Sequence, residues 1–288
     1  MNALVITRFT LQEAVARRVI VAGALLSLAF LALYAVGFSF MYGFAATAPS
    51  PVRPNVPPAT VVFGNVFTVL GMYAIHFLSS FLALFLSVGA IAAEVESGTL
   101  HAILARPIRR WEFVLGRWLA GVLLIALYVG LMAGLVLGIS WWISGYEAPR
   151  PIQAIGLMVL GAVLLLTVGL LGSTLLSTLA NGVVVFTLFG LAWLAGIIEF
   201  IGAALPNESM VNVGIAVGLL IPSDTLWRAA SYFLQSPIFL AAAAAGGGRA
   251  GIPFMAMTAP SGTQLVWAAL YPLLCLGAAV LSLARRDL

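Results

Sequence analysis

Apolar residues in this chain run in long blocks, broken only by short polar punctuation. A helix that crosses the roughly 30 Å hydrocarbon layer needs about 20 mostly apolar residues, and backbone exposed to lipid must be helical. Six blocks meet that length: about Val19–Phe44, Val61–Ala93, Trp118–Ile143, Ile152–Leu179, Val183–Leu205 and Thr263–Ala284. The stretch Pro151–Ile198 carries no charge and is too long for one helix, so the turn signal Asn181-Gly182 is taken as its break. The pattern predicts an all-α integral membrane protein of six transmembrane helices, forming one domain over residues 1–288.

The intervals between blocks add shorter elements. Thr10-Leu11-Gln12-Glu13 fits a capping box, which predicts the start of an N-terminal interfacial helix just before the first span. The proline-rich stretch at 48–58 reads as a stiff outer linker. Between the fifth and sixth spans, Met210–Ile221 is too short to cross, and Pro222-Ser223-Asp224 supplies a turn and a helix cap. That interval predicts outer re-entrant or interfacial helices. A hairpin pairing Met210–Ile221 with Ala229–Ala245 is the alternative.

Composition supports lipid as the solvent. Hydrophobic residues make up 63% of the chain and charged residues 8%, against about 25% charged in a soluble globular protein. The charges also orient the spans. Arg8, Arg17, Arg18, Arg106, Arg109, Arg110, Arg117, Arg285 and Arg286 fall on one side, and Arg53, Arg150, Arg228 and Arg249 on the other. The richer side is expected to be cytoplasmic, which places both termini in the cytoplasm of a prokaryotic cell. Trp111 and Trp118 mark one interface, and Trp141, Trp142, Tyr146, Trp267 and Tyr271 the other. The charges at Arg8, Glu13, Arg17 and Arg18 argue against a cleavable signal peptide.

Several chemistries are excluded. All 13 basic residues are arginine, and a phosphate-binding P-loop needs a lysine, as does a Schiff base. A single cysteine, Cys275, forms no internal disulfide, and His76 and His101 alone are poor material for a metal centre. The formal charge of +4 lies at helix ends and does not imply nucleic acid. No cofactor, metal or catalytic site is expected in this chain.

The segment between the second and third spans carries the most information. Ser97 and Thr99 can cap a short helix, with Gly98 between them. Leu100, Ile103 and Leu104 form its apolar face, and Pro107 ends it. Glu94 and Glu96 precede its N-terminus, and Arg106, Arg109 and Arg110 follow its C-terminus, as the helix dipole favours. On these residues alone, the segment reads equally as a surface helix anchored to anionic lipid headgroups.

The motif Glu94-x-Glu96-x-Gly98-Thr99-Leu100, followed by Arg106-Pro107-Ile108-x-Arg110 and Leu115-Gly116-Arg117, resembles the signature of type-2 ABC-transporter permeases. That family includes the permease of the nitrous-oxide-reductase maturation exporter. The segments Thr10–Arg18, Pro222–Arg228 and Arg285–Leu288 are similar to it as well. His101 stands where the family commonly has an acid, and Arg117 where it commonly has lysine. The resemblance implies a permease subunit that works as a dimer, with an identical or related second permease and two copies of a separate ABC ATPase. ATP and Mg would then sit on the ATPase, with the direction expected to be export. It also implies that Glu94–Arg110 holds a cytoplasmic coupling helix seated on that ATPase.

Three further features have two readings each. Gly130, Gly134 and Gly138 form a ridge of small residues, for packing within the protomer or for the permease dimer seam. Glu199 and His76 are ionisable groups within spans. Glu199 is expected to reach the outer interface or to pair with a neighbour, with a substrate or proton role as the other reading. Hydrogen-bonded packing beside Ser79 and Ser80 is expected for His76, with a ligand site as the other. If they coupled ion flux, the chain would be an ion-coupled secondary transporter, although no internal repeat supports that. No cluster of nucleophiles or metal ligands supports a membrane-embedded enzyme. An apolar path would suit a lipid-like, hydrophobic or peptide substrate.

Overall fold

The computed structural model describes residues 2–16, 18–47, 58–96, 109–245 and 254–285. Among them are α1 (Asn2–Ala16), α2 (Arg18–Thr47), α3 (Ala59–Val88), α4 (Ala92–Glu96), α5 (Arg110–Ser144), α6 (Pro151–Leu175), α7 (Thr178–Ala204), α8 (Glu208–Leu220), α9 (Ser223–Leu234), α10 (Pro237–Ala245) and α11 (Gly262–Arg285). No strand occurs among the described residues. Six helical stretches are long and apolar enough to cross a membrane: Leu25–Thr47, Ala59–Glu96, Arg110–Ser144, Pro151–Leu175, Thr178–Ala204 and Gly262–Arg285. The protein is an all-α, multi-pass membrane protein.

The charge-free α6 is the centre of the bundle. Of its most apolar window 67% is buried, against 22–44% for the other five spans. It packs on α3, α5, α7, α9 and α11. A helix surrounded by other helices needs no polar face, which explains the unbroken apolar run. Around it, Met72, Ile75, Ile125, Val129, Met158, Leu165 and Trp227 form the main core. The outer surfaces of the surrounding spans are apolar as well, with Leu33, Phe40, Phe85 and Leu127 exposed, as lipid contact requires.

Two expected boundaries move. The turn between the fourth and fifth spans lies at Leu176-Ser177, where Ser177 caps the next helix by accepting the Ala180 N–H, and not at Asn181-Gly182. Asn181 is instead fully buried, and its amide donates to the carbonyls of Val88 (2.8 Å) and Gly169 (2.9 Å). The expected capping box at Thr10–Glu13 does not start a helix either, since α1 runs through those residues. Inside a helix the N–H groups already have carbonyl partners four residues back, so nothing there needs a cap. The linker at 48–57 lies outside the described residues.

The interval after the fifth span folds back into the bundle. α8 returns along α7 as an antiparallel hairpin with small residues at the seam. A Cβ on Gly202 would stand 2.8 Å from the Val211 nitrogen, and one on Gly214 would stand 2.9 Å from the Ala195 oxygen. The chain then bends by 105° into α9, which packs across α6. This sharply bent pair is compatible with the re-entrant or interfacial helices expected in that interval. The alternative hairpin fails, because Ala229–Ala245 is not one helix: it is divided between α9 and α10.

Candidate functional site

Polar side chains inside an apolar bundle are costly unless paired, so the places where they gather mark the candidate sites. They gather at two, one at each end of the bundle.

The first surrounds the N-terminus of α5. Residues 97–108, with the expected helix of Ser97, Gly98, Thr99, Leu100, Ile103, Leu104, Arg106 and Pro107, lie outside the described residues. Both flanks are described, and both are tied to other spans. On the α3 side the helix breaks after Val88, and the N–H groups of Ile91 and Ala92 both donate to Ser173 Oγ on α6, at 2.9 Å each. Glu94 forms an ion pair with Arg117. The Glu96 carboxylate accepts the Thr178 N–H at 2.8 Å and its hydroxyl at 3.0 Å, at the start of α7.

On the α5 side the Glu112 carboxylate accepts the Arg109 N–H at 3.2 Å, closing the first turn. Arg110 donates from Nη1 to the carbonyls of Leu283 (3.1 Å) and Ala284 (3.2 Å) at the end of α11, where a cation also suits the helix dipole. Thr7 of α1 donates to the Gly116 carbonyl at 3.1 Å. Glu94, Glu96 and Arg110, expected at the coupling surface, therefore bond to the protomer's own helices, while Arg109 is exposed. Ser173, Thr178 and Thr7 are not singled out in the sequence, and Asn181 is read there only as a turn. Their signal was a hydrogen-bonding side chain at the polar edge of an apolar block.

The second site lies within the opposite half. Glu199 stands five positions before the end of α7, roughly 8 Å along the helix. Its Oε1 is 2.6 Å from Arg228 Nη1 on α9. Arg228 Nε is 3.4 Å from Asp224 Oδ2 one turn earlier, and its Nη2 donates to the Gly196 carbonyl at 3.1 Å. Asp224 packs directly against Gly196, where no side chain larger than hydrogen fits. The expected pairing of Glu199 is thus with Arg228. An unpaired charge at the bilayer centre costs about 2.5–3.5 kcal/mol on insertion scales, so a mutually paired cluster is the form that such groups take.

Beside this cluster is an aromatic group. Trp193 Nε1 donates to the Tyr73 hydroxyl at 2.7 Å, and Tyr73 stacks on Phe254 with centroids 4.8 Å apart. His76 is buried against Trp227 at 5.3 Å and Tyr73 at 6.3 Å. The hydrogen bonding expected of the His76 side chain is absent at Nδ1. Ser79 and Ser80 donate to its backbone carbonyl, and its Nδ1 has no partner among the described residues. Just beyond the C-terminal end of α5, the Tyr146 hydroxyl lies 2.6 Å from the Leu234 carbonyl and 2.9 Å from Asn65 Oδ1. Burial pushes that phenol above its ordinary range.

The glycine ridge is corrected in one respect. No atom among the described residues would lie within 4 Å of a Cβ at Gly130, Gly134 or Gly138, so the ridge does not pack within the described protomer.

Motif and topology can be set beside known families. A model described as ABC-2 family transporter protein matches residues 55–288. The chain belongs to the ABC-2 transporter family. No curated protein matches it. The matched region of this ABC-2 permease contains five of its six spans, the segment 97–108 and the Glu199–Asp224–Arg228 cluster.

Proposed function

We propose that this ABC-2 permease couples ATP hydrolysis on a separate ABC ATPase, present in two copies, to substrate export across a prokaryotic cell membrane. The segment 97–108 seats on the ATPase, with ATP and Mg held there. A second permease, identical or related, completes the path, and the exposed Gly130–Gly134–Gly138 ridge is its seam. The end of the bundle that carries Arg110, with both chain termini, faces the cytoplasm, as its arginine excess favours.

One observation carries this reading. Both flanks of the segment between the second and third spans are tied by hydrogen bonds to three other spans, through Ser173, Thr178 and the Leu283–Ala284 carbonyls. A load applied to that segment is passed to the bundle rather than absorbed by a loose loop. The test is a paired change of Leu100→Asp and Ile103→Asp in a tagged chain. Loss of the co-purified ATPase, with membrane insertion retained, is the expected result, and an undiminished ATPase yield refutes the assignment.

An ion-coupled secondary transporter is the second reading, because Glu199, Asp224 and Arg228 place ionisable groups inside the bundle. A chain that purifies alone and transports only under an ion gradient would establish it.

A further inference from the structure

A cavity of about 260 Å³ opens beside the Glu199–Arg228 pair, walled by α7, α8, α9 and the first turn of α11. It is slightly smaller than the 300–1,000 Å³ typical of drug-sized sites, and so holds a headgroup rather than a whole lipid. Ile215, Leu219, Pro260 and Leu265 give it apolar walls, and Thr225, Thr258, Ser261 and Gln264 add hydrogen-bonding side chains. Hydrogen-bonding side chains therefore stand beside a charged pair in a partly apolar cavity.

The charges of the pair set the ligand chemistry. Of the two carboxylates that flank the guanidinium, Glu199 lines the cavity and Asp224 does not. Arg228 has five N–H donors; its Nη2 donates to the Gly196 carbonyl, while Nη1 and Nε lie 2.6 Å and 3.4 Å from the Glu199 and Asp224 carboxylates. Glu199 and Arg228 keep 29% and 24% of their side-chain surface open, and both line the cavity. An ammonium group can donate to the open side of the Glu199 carboxylate. A hydrogen-bond acceptor next to that ammonium can reach the remaining Arg228 donors and the Gln264 amide.

We propose that this cavity binds the primary ammonium group of a headgroup-sized ligand, with Glu199 as the ammonium acceptor and Arg228 and Gln264 holding the adjacent acceptor group. This deepens the transport reading by naming a ligand class, and it rests on that reading. The shared chemistry has two sources, an aminophospholipid headgroup or a soluble primary amine such as a peptide amino terminus.

The full chain, with any ATPase that accompanies it, is placed in nanodiscs of equal phosphatidylglycerol and phosphatidylethanolamine with identical acyl chains, and bound lipids are counted by native mass spectrometry. The expected result is about tenfold retention of phosphatidylethanolamine, falling towards parity in Glu199→Gln. Where phosphatidylcholine replaces phosphatidylethanolamine in the nanodisc it is not retained, because its quaternary nitrogen donates no hydrogen bond. Gln264→Leu lies outside the ion cluster and lowers the ratio several-fold, which keeps the test decisive if Glu199→Gln fails to fold. Binding of glycerophosphoethanolamine or a dipeptide without lipid enrichment, lost in the variants, supports the site and assigns it to a soluble amine. No discrimination in the wild-type chain, or unchanged ratios in the variants, overturns the inference. If the ATPase still co-purifies in that case, the transport reading stands and only this inference falls.

Discussion

The Glu96 carboxylate accepts both the N–H and the hydroxyl of Thr178, so the last residue of α4 caps the first turn of α7. A carboxylate in that position satisfies orphan donors and suits the positive end of the helix dipole. Glu96→Ala is expected to cost about 1 kcal/mol, the usual worth of an N-cap. Hydrogen exchange should accelerate at the start of α7 and stay unchanged at the start of α6. Equal protection in both proteins would show that the contact carries nothing.

Glu94 and Arg117 keep only 16% and 17% of their side-chain surface open. Removing one partner from such a pair leaves the other charge poorly solvated, whereas removing both does not. Glu94→Gln and Arg117→Gln should each destabilise the protein by about 2 kcal/mol, allowing for partial exposure, and the double variant by less than the sum. Thermal unfolding of the four proteins in one detergent checks this, and additive losses would contradict it.

Glycine substitutions should divide by position. A Cβ on Gly71 would stand 2.6 Å from the Tyr34 ring and 2.9 Å from Val136 Cγ1. Tyr34 cannot easily yield, since its hydroxyl is held by Ser140 at 2.8 Å and the Phe67 carbonyl at 3.2 Å. Gly71→Ala should therefore cost about 1–3 kcal/mol, although alanine normally favours a helix. Gly134 faces open space. Gly134→Leu should leave the melting temperature of the protomer within about 2 °C, since surface changes alter stability little. It should weaken self-association in detergent, measured by light scattering. Unchanged association would remove the ridge from the dimer seam.

His76 separates the two transport readings. Its ring is stacked between aromatic neighbours, and its Nδ1 lacks a partner among the described residues. His76→Phe keeps the stacking and removes a buried polar atom, so stability should change by less than about 1 kcal/mol. An ATP-driven permease should retain transport in this variant. A carrier that moves protons through His76 should lose it.

The spans were legible because each is a long apolar block, and lipid allows such a block only one backbone form. Their ends were less so. The third span was expected to begin at Trp118, yet its helix starts at Arg110, since Glu112 and Arg117 find partners within the protein and the charges do not stop the helix. Asn181 looked like a turn residue because its amide commonly bonds to nearby backbone, but here those bonds go to neighbouring spans. At the second site Glu199 was visible as a lone charge near a span end. Its partners Asp224 and Arg228 were not, because only the return of α8 along α7 and the 105° bend bring them beside it.

The contacts of α5 also set an order of assembly. Its first turns receive Thr7 from α1 and give Arg110 to the carbonyls that close α11. Arg110 is synthesised long before those carbonyls exist, so its guanidinium must wait in another arrangement while the intervening spans enter the membrane. The end proposed to face the cytoplasm and meet the ATPase is therefore sealed last during biogenesis, and a chain halted before α11 would leave that end unfinished.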